Sequence, residues 1–408
     1  MIIQALRFFR SNKRNASLEQ QFRTFGPAVQ AQVYNTTKIH TIVPQNLQSV
    51  FSTDFDSWGI APLRLFFFGP FIGKGIMTTD DLSAYAVHVN RLLAALSKHD
   101  GSDFDLKPYF ERLALDSSTE FLFGHSTGSL TASPTLDAQA FLQAYNYGQA
   151  GIGKRMQVPQ WNVLTRDKRF WSSCKLARAF VERCVAQASA SGGNAATKEP
   201  SRLILAHQLA AQTSHHNDIV NQLLNVFLPA HDATAVALTN VFFHLSRHPI
   251  AYTRLRQAIL DLGPYSTWTF ERLKACKYLQ AVLNETFRLN PSIGQMNRVA
   301  LRDTVLPAGG GIEGKSPVFV KKGTMLTTSL YALHRSPQIW GQDSDTWRPE
   351  RWLQKGRDEL VKVGHWTFLP FGGGPRICIG MQLALTEVAY AVGRLAQRYQ
   401  RVDCRDPV

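Results

Sequence analysis

The chain has 408 residues, of which 44% are hydrophobic and 18% are charged, and its formal net charge is +15. This length and apolar content exclude a disordered chain and fit a protein with a substantial core. Five widely spaced cysteines without a CxxC pair argue against a disulfide framework or a zinc site, and they indicate a reducing compartment. The basic charge attracts acidic proteins, anionic lipid or nucleic acid, but no nucleic-acid-binding motif is found, so no nucleic-acid partner is expected.

The N-terminus, MIIQALRFFRSNKR, is basic and places Ile2, Ile3, Leu6 and Phe9 at helical spacing. This pattern is typical of a helix lying on a membrane surface or of a surface helix packed on the protein body. No signal peptide is expected, because no cleavage site follows. The longest strongly apolar run, Leu65 to Ile72, is far shorter than the roughly 20 residues that span a bilayer, so no transmembrane helix is expected.

Hydrophobic periodicity predicts a mainly helical chain with two β-rich parts, at about 27–80 and 298–330. Paired strands are predicted at 29–34 and 38–43, a loop at 69–75, a strand end at 76–79, and hairpin strands between 298 and 330. Gly124 is expected to end a helix, and residues 191–200 are expected to form an exposed linker. The predicted helices, which include a helical core at 82–290, are 46–51, 82–99, 106–123, 137–148, 168–190, 217–247, 250–261, 278–289 and 381–396.

The predicted helix at 217–247 is the longest periodic segment of the chain. Asp218 is expected to cap its start, and His248-Pro249 is expected to end it. About 30 residues of helix extend roughly 45 Å, which is enough to cross a molecule of this size. Apolar residues lie nearly all round this helix, so it is predicted to be buried.

The segment from Phe371 to Gly380, FGGGPRICIG, holds Cys378 just before a predicted helix. Glycines let the backbone approach a flat ligand, and backbone N–H groups, Arg376 and the helix dipole would each stabilise a thiolate at Cys378. Such a thiolate is suited to be the axial ligand of a haem iron. The alternative is a cysteine buried in a glycine-rich turn, but five fixed positions in ten make a chance match rare.

The spacing of these residues resembles the signature of the haem-thiolate monooxygenases, the cytochromes P-450. The resemblance covers about residues 16–400 and implies the mainly α cytochrome P-450 fold, with a large helical domain and a small β-rich domain, over a single domain 1–408. It implies heme b (iron protoporphyrin IX) as cofactor and Cys378 as the metal ligand. The cofactor-binding loop 371–380 would then comprise Phe371, Gly374, Arg376, Cys378 and Gly380.

Three charged residues resemble a second family pattern. Glu285 and Arg288 lie three residues apart on one helix face, and Arg351 lies in WRPERW. In the family, a Glu-x-x-Arg pair and a later Arg form a structural network beneath the haem loop, whereas the alternative is a solvent-exposed ion pair. The resemblance also assigns the haem propionates to Arg376 and Arg298, and a solvated strand end is the alternative for Arg298.

The centre of the long helix, LPAHDATA, is similar to the family's Ala-Gly-x-Asp/Glu-Thr. In the family an acid and an alcohol relay protons that help to cleave O2, so Asp232 and Thr234 are the catalytic candidates. The chain departs from the pattern because Ala233 stands at the alcohol's place, and His231 or a missing residue stands at the glycine's. The alternative, a solvent-satisfied Asp232, is disfavoured in so apolar a helix.

A larger departure follows residues 76–79. Family members continue there with a Gly and with a helix whose Trp and Arg bind a haem propionate. Here residues 80–83 follow directly, so about twenty residues of the pattern are missing, and neither Lys74 nor Arg91 stands at the family spacing. The N-terminal membrane helix of many eukaryotic members is not found either. The hypothesis is a shortened product or an imperfect gene model with weakened haem binding.

The resemblance implies insertion of one oxygen atom of O2 into an apolar substrate, with electrons from an NADPH-cytochrome P-450 reductase. RVALRDTVLPAGGG with SPVFVKKGT is similar to the fungal alkane and fatty-acid hydroxylases, so a long-chain substrate is expected. Two alternatives stay open: an oxygen-independent isomerase or dehydratase, which Ala233 favours, and a haem-binding product without turnover. The family is found on the cytosolic side of the endoplasmic reticulum membrane, and a cytoplasmic location is the alternative.

Overall fold

The computed structural model describes residues 14–33, 36–59, 83–99, 102–124, 126–131, 136–157, 167–191, 205–212, 215–354 and 366–405. Several predicted features lie outside the described residues. These are the amphipathic N-terminal segment, the loop at 69–75, the strand end at 76–79 with the junction that follows it, and nearly all of the linker at 191–200.

Helices make up most of the described chain. They are α1 Arg14–Phe25, α2 Pro44–Gln48, α3 Ser83–Leu96, α4 Lys107–Phe123, α5 Leu136–Gln157, α6 Lys168–Ser191, α7 Leu205–Gln212, α8 His216–Leu245, α9 Pro249–Leu260, α10 Phe270–Ala275, α11 Lys277–Leu289, α12 Leu330–Leu333, α13 Pro337–Trp340 and α14 Met381–Arg398. The strands are β1 Ala28–Val33, β2 Thr36–Thr41, β3 Trp58–Gly59, β4 Gln295–Ala300, β5 Thr304–Gly310, β6 Ser316–Val320 and β7 Met325–Ser329. The predicted class, mainly α with a small β-rich part, is confirmed.

The predicted helices are present, and the differences lie at their ends. α4 ends as expected, because Gly124 adopts φ +78° and donates its N–H to the Glu120 carbonyl at 2.8 Å. α5 continues past its predicted end at residue 148. Gly151 lies in this extension, where a Cβ would overlap the ring of Phe170 on α6. The small residue therefore lets the two helices approach closely, which the periodicity of α5 alone does not reveal.

α8 is the long helix that the sequence predicts. It begins at His216, so Asp218 lies in its first turn and not at its cap. It continues through Pro229, which lacks an N–H and removes one helical hydrogen bond. α8 is the one described helix that is long and apolar enough to cross a membrane, a test that the core helix of a soluble protein also passes.

The described strands form a five-stranded sheet in the order β1-β2-β7-β4-β3 and a separate hairpin of β5 and β6. β1 and β2 pair with each other, as predicted, and the pairing is antiparallel. The structure corrects the expectation that all strands between 298 and 330 are hairpin partners, because β7 lies parallel to β2 and antiparallel to β4. Parallel pairing needs a long connection and therefore leaves no local turn signal in the sequence.

The chain divides into two compact units. The first comprises the described parts of Met1–Leu63, Phe243–Asp261 and Ala275–Cys378, and it contains both sheets. Its core is formed by buried apolar side chains of the sheet, of α2 and of the segment after α2, among them Leu47, Val50, Phe51, Trp58, Leu306, Leu326 and Leu330. This core lies directly under the segment that leads to Cys378, because Leu369 belongs to it and Trp366 packs against it.

The second unit comprises the described parts of Arg64–Phe242, Leu262–Lys274 and Ile379–Val408. It is a helical assembly of α3 to α7, most of α8 and α10, and α14. Aromatic side chains join its helices, since Phe141 of α5 stacks on Phe180 of α6 at 4.2 Å between ring centroids, and Phe227 of α8 stacks on Phe123 of α4. α8 is therefore held by aromatic packing.

Candidate functional site

The segment 371–380 is a tight loop that presents Cys378 at its surface. Gly374 begins a single 3-10 turn, Gly374–Arg376, and has φ +70°. The backbone N–H of Cys378 donates to the Phe371 carbonyl at 2.9 Å, which closes the loop on itself. The side chains at 375–379 are all exposed, and Ile377 and Ile379 expose 39% and 41% of their surfaces.

Glycines let this loop press against its own unit. A Cβ at Gly374 would overlap the backbone carbonyl of Phe51, and a Cβ at Gly373 would overlap the ring of Trp366. Phe371 packs edge-on against Phe287 of α11, with ring centroids 5.8 Å apart. The loop thus packs closely against Phe51, Trp366 and Phe287 on one side, and it carries an exposed cysteine.

A buried histidine ties the approach to this loop. The ring Nε2 of His334 accepts the backbone N–H of Leu369 at 2.9 Å, and the side chain is fully buried. Burial and the neighbouring guanidinium of Arg288 lower the pKa of His334 to about 3, so the imidazole stays neutral and able to accept. The sequence alone does not reveal this residue, since a lone histidine carries no local motif.

The three charged residues predicted to form a network lie together, fully buried, in the first unit. Arg288 donates to both carboxylate oxygens of Glu285, at 2.8 and 2.9 Å, and Arg351 donates to one of them at 3.1 Å. The backbone N–H of Arg348 and the indole N–H of Trp352 complete the set, each at 2.9 Å. Burial alone would raise the pKa of Glu285, but these donors, Arg288 foremost, lower it.

The same cluster reaches the cysteine loop through His334. One guanidinium nitrogen of Arg288 donates to the His334 carbonyl at 2.7 Å, while the ring of His334 holds Leu369. A guanidinium nitrogen of Arg351 donates to the Asp343 carboxylate at 3.0 Å. The buried charges therefore brace the backbone on which the loop rests.

The two arginines predicted to face haem propionates belong to the same unit. Arg298 lies on β4, is 8% exposed, and places its guanidinium 4.4 Å from the centre of the Phe51 ring. Arg376 is exposed and lies 5.2 Å from the ring of Phe55. Both cations thus rest on aromatic rings of the segment that supports the loop, and Arg298 is not a solvated strand end.

The two catalytic candidates on α8 have different partners in the second unit. Asp232 is 26% exposed and accepts a hydrogen bond from Nδ1 of His231 at 2.7 Å. The ring of His231 is buried and stacks on Phe227, with Tyr145 of α5 edge-on to it. The hydroxyl of Thr234, 2% exposed, donates to the carboxyl of Glu387 on α14 at 3.3 Å. Glu387 was not among the predicted site residues, although it is the one acidic residue of α14 and could have been found as a lone charge in an apolar helix.

The chemistry of these residues fits a flat, largely apolar group that carries an iron and acidic tails. A sulfur ligand is presented between two exposed isoleucines, and a guanidinium stands two residues away. Among the described residues, no cluster of three or more His, Cys, Asp or Glu side chains could hold a metal ion by themselves. A single thiolate ligand fits a metal whose other ligands are supplied by a macrocycle.

Comparisons with known proteins agree with this geometry. The model of the family Cytochrome P-450 matches residues 63–406. The chain is 36% identical to the cytochrome P-450 monooxygenase g430 of Fusarium sp, over 92% of the chain and 72% of the relative. It is 32% identical to the cytochrome P-450 monooxygenase himC of Aspergillus japonicus, over 100% and 76%, and 35% identical to cytochrome P-450 52A5 of Candida maltosa, over 91% and 77%.

The family match covers more than half of the chain, and each of these relatives is more than 30% identical to it. Members of this family use a haem-thiolate cofactor, a redox partner and apolar substrates. The chain therefore belongs to the cytochrome P-450 family and is an oxidoreductase of the monooxygenase type.

Proposed function

We propose that this protein inserts one oxygen atom of O2 into a long-chain alkane or fatty acid. The observation that carries the proposal is the exposed Cys378. It lies on a loop that packs against Phe51 and Phe287 and whose approach is held by His334. The substrate class rests on the resemblance of residues 298–311 and 316–324 to fungal alkane and fatty-acid hydroxylases. Those residues include β5 and β6, whose outer face is apolar at Val305 and Phe319.

The proposed cofactor is heme b, and Cys378 would hold its iron. When bound, a haem with a thiolate ligand supplies electron transfer to O2 and assistance to O–O cleavage. Arg376 and Arg298 are proposed to neutralise its propionates, and Phe371, Gly374 and Gly380 are proposed to shape the loop that carries the ligand. Glu285, Arg288 and Arg351 are proposed to act as scaffold and not in chemistry, which their complete burial supports.

Asp232 and Thr234 are proposed to handle protons for the reaction. Asp232 is partly exposed and accepts from Nδ1 of His231 at one oxygen, which supports its proposed role in passing protons from water. The hydroxyl of Thr234 donates to Glu387, and its oxygen keeps acceptor capacity. Ala233 cannot hydrogen-bond through its side chain, so the alcohol role falls to Thr234 or to a water.

The proposed electron donor is an NADPH-cytochrome P-450 reductase. The net charge of +15 supports docking of an acidic flavoprotein. We further propose that residues 1–408 act as one cytochrome P-450 domain, on the cytosolic surface of the endoplasmic reticulum membrane or in the cytoplasm. The alternatives are a haem-binding product without turnover and, after it, an isomerase or dehydratase that needs no O2, which Ala233 favours because it stands where the family has its alcohol.

A chain-length series tests the substrate class. Fatty acids and alkanes of increasing length are titrated into the haem-loaded protein, and binding is followed by the shift of the Soret band. Each added methylene is expected to tighten binding about fourfold, since burying a CH₂ contributes about 0.8 kcal/mol. An affinity that does not change with length would contradict an apolar-chain substrate.

Isotope labelling tests the reaction type. With reductase, NADPH and ¹⁸O₂, we expect one labelled oxygen atom in the product. Product that forms without O2 and NADPH would favour the isomerase or dehydratase instead.

A further inference from the structure

A carboxyl group lies where the helices of the second unit meet. Glu387 is on α14, nine positions after Cys378 in the sequence, and it is flanked by the buried residues Thr386 and Val388. It is only partly exposed, and among the described residues no arginine, lysine or histidine is found to shift its pKa. A carboxyl in such a place costs free energy unless it is neutral or well hydrogen-bonded.

Hydroxyl groups from three other helices surround this carboxyl. Thr234 of α8 donates to its Oε2 at 3.3 Å, and Ser117 of α4 also hydrogen-bonds it. Tyr85 of α3 interacts with it electrostatically, and the Tyr85 hydroxyl is buried with no hydrogen-bond partner among the described residues. Burial raises the pKa of Glu387 to about 8, more than the two hydrogen bonds lower it, so the acid is largely neutral at pH 7.

A neutral carboxyl suits this set of partners. It offers one oxygen that accepts from Thr234 and one O–H that donates to a neighbouring hydroxyl. Burial raises the pKa of Tyr85 well above 10, so that phenol stays neutral as well. The cluster can thus satisfy its members without a buried charge.

We propose that Glu387 is a positioning residue that acts through Thr234. By accepting the hydrogen bond that the Thr234 hydroxyl donates, it fixes the rotamer of that hydroxyl and leaves the Thr234 oxygen as an acceptor on α8, two residues after Asp232. It also ties α8 to α14, the helix that directly follows the cysteine loop in the chain. The catalytic part of this inference rests on the proposed role of Thr234, whereas the helix coupling does not.

A double-mutant cycle on the apoprotein tests the coupling. Glu387→Leu removes the acceptor, Glu387→Gln keeps it, Thr234→Val removes the donor, and Glu111→Gln neutralises a more exposed carboxylate on α4 as the control. Hydrogen exchange of peptides covering 230–236 reports on α8 without any haem. We expect Glu387→Leu to speed exchange about tenfold, the equivalent of one lost hydrogen bond. Glu387→Gln and the control should stay near wild type.

The cycle also tests whether Glu387 acts through Thr234. In the Thr234→Val background, Glu387→Leu is expected to add little, because the shared hydrogen bond is already gone. Additive effects, equal effects of Gln and Leu at position 387, or unchanged exchange in Glu387→Leu would each overturn the inference.

The pH dependence of unfolding tests the neutral state of the acid. The pKa of Glu387 in the folded protein is above its ordinary 4.5, so the unfolded chain loses this proton first as the pH rises. Relative to Glu387→Gln, the folding equilibrium constant of wild type should fall up to about tenfold per pH unit between pH 5 and 8. Glu111→Gln should not change this slope. A wild-type-to-Gln difference that is flat over this range would overturn the neutral acid.

The haem-loaded protein tests the catalytic part. The fraction of NADPH electrons recovered in product, and not in peroxide, should fall in Glu387→Leu and return in Glu387→Gln, with the substrate KM unchanged. Unchanged coupling in Glu387→Leu would overturn this part. A wild type without a thiolate-type carbon monoxide spectrum would instead overturn the proposed cofactor, while the exchange cycle on the apoprotein still decides the role of Glu387.

Discussion

Glu285 is the residue on which the buried charge cluster depends. It accepts from Arg288, Arg351, the backbone of Arg348 and the indole of Trp352, and no other side chain in the described part of the chain bridges Arg288 and Arg351. Removing one partner of a buried ion pair is strongly destabilising, because it leaves the remaining charge without compensation. The cluster therefore stabilises the fold only while Glu285 is ionised.

Glu285→Gln is expected to lower the free energy of unfolding by about 3–5 kcal/mol, measured by urea denaturation. The lowered pKa of Glu285 gives this contribution a pH dependence: it is present above the ordinary value of 4.5 and is lost as the pH falls through the folded-state pKa. The gap between wild type and variant should therefore shrink in acid. Glu313→Gln, on an exposed ion pair with Lys315, is the control and should leave the midpoint unchanged. Equal effects of the two substitutions would contradict the buried network.

The loop at 371–380 is the element whose shape matters most. Gly374 combines a left-handed backbone with direct contact to the Phe51 carbonyl, whereas Gly323, with φ +85°, has open space where a Cβ would lie. The two glycines therefore separate the cost of backbone strain from the cost of steric overlap. Only the cost of steric overlap reports on the contact between the loop and the Phe51 carbonyl.

Gly323→Ala should cost about 1–2 kcal/mol, from the left-handed backbone alone. Gly374→Ala should cost about 1–3 kcal/mol more, because the loop must move away from Phe51. Thermal and urea unfolding of the apoprotein measure both. Equal costs for the two variants would show that the loop does not rest on the Phe51 carbonyl.

Local sequence signals predicted the secondary-structure elements and the motifs. They did not predict contacts between residues that are far apart in the chain. Helical periodicity located α4, α8 and α11, and glycine spacing located the cysteine loop. The bonds from His334 to Leu369 and from Thr234 to Glu387 join residues 35 and 153 positions apart. No spacing rule connects such pairs, so these anchors became visible only in the structure. The parallel pairing of β2 with β7 escaped prediction for the same reason.

On the scale of the whole molecule, family membership and geometry support the same function. Similarity to the three fungal relatives extends over 91–100% of the chain. The family match over residues 63–406 spans the cysteine loop, the charge cluster and α8 together. Helices make up the second unit, and in the first unit Phe51, Phe287 of α11 and His334 support the loop. What the chain does with this scaffold depends on whether its cysteine binds a haem iron.

The most direct measurement is the carbon monoxide difference spectrum of the reduced, haem-reconstituted protein. Wild type is expected to give the red-shifted Soret band of a thiolate-ligated haem, with one haem per chain. Cys378→Ala should lose this band, and Cys404→Ala, at a partly exposed thiol outside the loop, should keep it. A band that survives in Cys378→Ala, or a wild type that takes up no haem, would contradict the assignment of Cys378 as the iron ligand.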